Sequence, residues 1–95
     1  MKKNDLIKQF EFELNKNVIE MNKLRKFNGL QRILDEYGYF EGARKLINKD
    51  ETVGLADLFA AGKKEISIEF LALDERFKSL FTKDELKKCR CKLGM

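Results

Sequence analysis

The chain has 95 residues, 43% hydrophobic and 11% aromatic, with a formal net charge of +4. That is enough apolar mass for one small core and too much for a disordered segment. No apolar run is long enough for a transmembrane helix, and histidine, the commonest general base and metal ligand, is absent.

Read from the N-terminus, Leu6, Ile7, Phe10, Leu14, Val18, Met21 and Leu24 recur mainly at spacings of three and four. They fall on one stripe and predict a long amphipathic helix over about residues 4–27. Asn28-Gly29 reads as its stop, because both residues tolerate a left-handed conformation. A short helix is expected over 30–37, with Leu30, Ile33, Leu34 and Tyr37 on one face and Gly38 ending it. Phe40, Ala43 and Ile47 align in a further helix over about 39–48. A polar turn at 48–51 follows. Thr52 then offers an N-cap for a helix through Ala61, with Gly62 as its stop.

Ile66, Ile68 and Phe70 alternate as in a strand, but nothing else in the chain would pair with one. The segment 66–73 is therefore read as helical, with Ser67 as cap, and a bend near Asp74 leads into another helical stretch to Phe81. The last helix has the fullest local signature. Thr82-Lys83-Asp84-Glu85 is a capping box, with Phe81 and Leu86 placed as a hydrophobic staple. Asp84 and Glu85 sit at the positive start of that helix, Lys87, Lys88, Arg90 and Lys92 toward its negative end, and Gly94 is the stop. The fold class is therefore all-α: one helical domain over 1–95, with a long N-terminal helix and four to five shorter ones packed over its stripe. The eight Phe read as core filler.

No catalytic machinery is visible. There is no Ser-His or Cys-His pair, no Gly-rich phosphate loop, and the adjacent acids Asp35-Glu36 and Asp74-Glu75 read as solvated charges. Neither a cofactor nor an enzyme activity is expected. Cys89-Arg90-Cys91 supplies two thiols where a closed zinc site needs four ligands, so metal would require two chains to pool them. The simpler reading makes Cys89 a small apolar contact beside Leu86 and Leu93, and Cys91 an exposed thiol. Without a leader-like apolar stretch after the opening lysines, a cytoplasmic location is expected.

Two binding readings remain. Phe12 and Ile19 are seven residues apart and lie opposite the main stripe of the long helix. One stripe facing the core needs no such pair, so Phe12 and Ile19, with Lys16 and Lys23 beside them, are candidates for contact with a partner protein, an acidic one or a second copy of the chain. The alternative is a DNA- or RNA-binding regulator that uses its basic ends, with Lys63, Lys64, Lys87, Lys88, Arg90 and Lys92 on phosphates. A helix-turn-helix over 54–73 places Gly62 at the turn, but Asp57 and Lys63 fall where apolar residues belong, and the recognition helix carries Glu69 and no Arg. Lysine supplies 15 of the 20 basic residues, which argues against bidentate base readout by Arg. In size, Lys/Asn bias and lack of catalytic motifs the chain resembles the accessory proteins of phages and mobile elements of low-GC bacteria. That likeness assigns no residue a role. A small non-enzymatic regulator, of inhibitor or adaptor type, is the leading expectation.

Overall fold

A computed structural model describes residues 2–49 and 54–95. Among them it shows six α-helices and no strand: α1 Lys3–Leu24, α2 Asn28–Tyr37, α3 Tyr39–Ile47, α4 Leu55–Ala60, α5 Ile68–Ala72 and α6 Lys83–Lys92, with 3-10 turns at Lys64–Ile66 and Lys78–Leu80. The all-α expectation is met. Segment 66–73 is helical as argued, and the Ser67 hydroxyl accepts the Phe70 N–H at 3.1 Å. The expected stretch into Phe81 is only a 3-10 turn.

The stripe of α1 makes the centre of the molecule. Phe10, Leu14, Val18 and Met21 are buried, and Leu6 and Ile7 pack against the same core. Phe10 is enclosed by the edges of three other rings, Phe40 at 5.8 Å, Phe77 at 5.4 Å and Phe81 at 5.5 Å between centroids. Such edge-to-face contacts suit the ring quadrupoles and add about 0.5–1.5 kcal/mol each beyond the area they bury. Phe27 is also buried, so five phenylalanines fill the core, while Phe12, Phe59 and Phe70 are exposed. A single apolar cluster takes residues from all six helices.

The first helix stops earlier than its pattern suggests. Arg25 is fully extended, and Asn28-Gly29, expected to end α1, instead begin α2 with right-handed backbone. Burial of Phe27 explains the break: the chain must turn inward there, and the Phe27 carbonyl then accepts the first helical N–H, from Gln31. Leu24, assigned to the stripe, is consequently 44% exposed, and Tyr37, assigned to the apolar face of α2, is 45% exposed. Gly38, Gly62 and Gly94 all carry positive φ, as expected of stops. Thr52 lies outside the described residues; α4 is preceded by Gly54.

Helices α2 and α3 approach closely because Gly42 has no side chain. A Cβ there would lie 3.0 Å from the Ile33 carbonyl oxygen and 3.1 Å from the Leu34 Cα. The start of α3 takes its cap from α1: the Glu11 carboxylate accepts the Phe40 N–H at 3.1 Å. Its end takes one from α6, where the Lys92 ammonium donates to the carbonyls of Leu46 at 3.0 Å and Ile47 at 2.8 Å. These carbonyls belong to the last turn of α3, and that of Leu46 also accepts the Lys49 N–H at 3.3 Å. The same ammonium lies 3.6 Å from the wholly buried Glu69 carboxylate of α5.

The capping box of α6 forms as read from the sequence. Thr82 Oγ1 accepts the Glu85 N–H at 3.1 Å, and Glu85 Oε1 accepts the Thr82 N–H at 2.9 Å. The other Glu85 oxygen reaches across to α3, accepting from Arg44 Nε at 3.1 Å and Asn48 Nδ2 at 2.9 Å. Phe81 and Leu86 both pack on the core, as a staple requires.

Candidate binding surfaces

The outer face of α1 turns away from the core. Phe12 is 63% exposed and Ile19 is 53% exposed. Seven residues is close to two helical turns, so the two side chains stand on one line. Lys16 leans over the Phe12 ring, its ammonium 5.2 Å from the centroid, and also pairs with Glu13 at 3.4 Å. Lys23 pairs with Glu20 at 3.0 Å. The two lysines therefore stand beside the apolar row, each with a carboxylate within reach. Phe12 also walls a shallow depression of about 470 Å³ against Tyr39 and Gly38 at the α2–α3 junction, rimmed by Lys8, Glu11 and Asn15.

The basic residues do not gather as one set. Lys87 and Lys88 are exposed on α6 and line a depression of about 400 Å³ together with Lys49, Lys92, Asp84 and Cys91. Arg90 is exposed on the same helix but does not line it. Lys63 instead borders a small hollow with Lys23, Leu24 and Ile66, and Lys64 opens the neighbouring 3-10 turn. Lys92, assigned to phosphates, is corrected outright. Its side chain is only 9% exposed and its ammonium is committed to the end of α3 and to Glu69.

The helix-turn-helix reading also fails. The would-be recognition helix, α5, has five residues, and Ile68, Glu69, Leu71 and Ala72 are all buried. Glu69, whose charge already counted against a recognition helix, faces the core.

A larger groove escaped the sequence reading. It lies between α2 and α3, has a volume of about 850 Å³, and is lined by Arg32, Arg44, Lys45 and Lys49 against Glu36 and Glu41, with Tyr37 on its wall. The residues come from two helices, so no local run of charge announces them. The Lys45 ammonium sits 4.4 Å from the Tyr37 ring centroid, a cation–π contact.

The two thiols differ sharply. Cys89 is buried and Cys91 is exposed, and neither is in a disulfide. Burial, reinforced by the Glu69 carboxylate and only partly offset by Lys92, pushes the Cys89 thiol up to about 12. It is an inert thiol at neutral pH. Among the described residues no three His, Cys, Asp or Glu side chains come together in a way that could hold a metal ion, and no helix is long and apolar enough to cross a membrane.

Burial alone would raise the Glu85 carboxyl, but the Thr82 N–H, the Asn48 amide and the Arg44 guanidinium together hold it below the ordinary carboxylate range. These partners explain Glu85 as a structural group tying α6 to α3. No family model, curated protein or solved structure matches the chain.

Proposed function

We propose that the chain is a non-enzymatic binding protein, of inhibitor or adaptor type, that docks a partner protein on the outer face of α1. The observation that carries this reading is the row of Phe12 and Ile19, more than half exposed, on the side of a 22-residue helix opposite its buried stripe. Large apolar side chains on a long rigid helix supply anchors at low entropic cost, and a few such anchors carry most of the energy of an interface. The depression beside Phe12 gives a partner side chain somewhere to enter.

The test compares wild type with the double variant Phe12→Glu, Ile19→Glu. Capture from cells that carry the protein natively should lose one specific partner with the variant, with the reconstituted affinity falling at least about a hundredfold, or roughly 2.7 kcal/mol. Circular dichroism should show the same helix content in both. If both proteins hold the same partners equally, the α1 face is not the binding surface. If the variant loses its helix, Phe12 and Ile19 are needed for folding and the reading is abandoned.

A further inference from the structure

The α2–α3 groove and the α3–α6 depression adjoin at Lys49, which lines both, and so give a path from one to the other along the surface. Together they are lined by seven basic side chains and three acidic ones. Without Arg44 and Lys92, whose carboxylate partners Glu85 and Glu69 lie outside the lining, the excess is two. Two of the seven are structural: Arg44 is held by Glu85, and Lys92 by Glu69 and the end of α3. Arg32, Lys45, Lys49, Lys87 and Lys88 remain exposed along the path. Arg32 on the α2 wall, Lys45 and Lys49 beside it and Lys87 and Lys88 on α6 set positive potential along a line, and a chain of evenly spaced negative charges complements such a line.

Tyr37 narrows the choice of polyanion. Its ring is 45% exposed on the wall of the groove. The Lys45 ammonium covers one face of the ring at 4.4 Å, and the exposed remainder offers a stacking platform for an unpaired base, the arrangement by which proteins hold single strands without reading their sequence. Duplex readout needs an element that protrudes into the major groove and presents Arg or Asn to base edges, and this surface is concave and mostly Lys. We infer that the path from Tyr37 through Lys49 to Lys87 and Lys88 binds the sugar-phosphate backbone of single-stranded nucleic acid, with a base stacked on Tyr37. It is a surface distinct from the α1 row.

The test uses fluorescence anisotropy of a labelled oligothymidylate with the full chain. Wild type should bind at low salt, with affinity falling linearly in log–log against salt at a slope of about −0.7 per phosphate neutralised. Lys87→Glu with Lys88→Glu should weaken binding at least about tenfold and flatten the slope by roughly 1.4, the share of two phosphates. Tyr37→Ala should weaken it at least about fivefold, and Tyr37→Phe should leave it nearly unchanged. Because Cys91 lines the path, the bound oligonucleotide should slow its reaction with a thiol reagent. Phe12→Glu with Ile19→Glu should not alter any of these readouts, so a failure of the α1 reading and a failure of this one are separable. The inference is overturned by no measurable binding at low salt or by equal binding of a duplex. It is also overturned by polyglutamate displacing the oligonucleotide at equal charge concentration, which would make the surface a site for acidic protein. Binding that neither Lys87/Lys88 nor Tyr37 affects, with Cys91 unprotected, would place the ligand elsewhere and equally reject it.

Discussion

Thr82 and Glu85 show how much one short motif supports. Each accepts the other's backbone N–H, and Glu85 then uses its second oxygen to hold Arg44 and Asn48 of α3. Thr82→Ala removes one acceptor and should cost about 1 kcal/mol in a denaturant melt, while Thr82→Ser should be close to neutral. Equal stability of all three proteins would show that the cap does not form in solution. Glu85 carries a pH signature as well. Its carboxyl is lowered in the folded chain, so its stabilising contribution is complete above the ordinary carboxylate range and is lost as pH falls through the lowered value. Melting temperature should therefore decline as pH drops below about 5, and Glu85→Gln should be less stable at pH 7 but show a shallower acid decline. An unchanged acid limb in that variant would assign the decline to other carboxylates.

At the scale of elements, what could be read from the sequence was what neighbouring residues decide. The α1 stripe, the Ser67 and Thr82 caps and the positive-φ glycines are properties of a few adjacent positions, and they form as expected. The misassignments at Leu24, Asn28-Gly29 and Tyr37 share another origin. Each depends on where distant helices happen to pack, and Phe27, buried among them, gave no periodic signal because it stands between two helices. Lys92 is the clearest instance. In sequence it is one more cation in a basic turn, and in the fold it holds the end of α3 and the buried Glu69 of α5 at once. Lys92→Met should cost about 3 kcal/mol or more, because it takes a donor from two buried carbonyls and a cation from beside a buried carboxylate. Adding Glu69→Gln should recover part of that loss, since a buried charge is then gone. Chemical denaturation of the two variants decides this, and a cost under about 1 kcal/mol for Lys92→Met would mean the ammonium is solvated rather than committed. The α2–α3 groove was illegible for the same reason as Lys92: its cations converge only after two helices have packed.

Across the whole molecule, the core joins the two ends of the sequence. Phe10 is ringed by Phe77 and Phe81, Glu13 lies 3.9 Å from Arg76, and α6 is fixed to α3 at both its ends. Contacts of such long sequence separation form only after a large loop has closed, which slows folding relative to a bundle of purely local helix pairs. A chain cut before Phe77 should accordingly lose its cooperative thermal transition, although α1 could retain helix by circular dichroism; a sharp melt in that fragment would show that the N-terminal helices form a core of their own. On the ribosome the order of synthesis then matters. The apolar side of α1 emerges before Phe77 and Phe81 and waits, at about 5–20 residues per second, for the rings that will cover it. For that interval the nascent chain displays Phe10, Leu14 and Met21 to whatever is nearby, so how much protein accumulates in a cell depends on chaperone capture of an unfinished helix as well as on the stability of the finished fold.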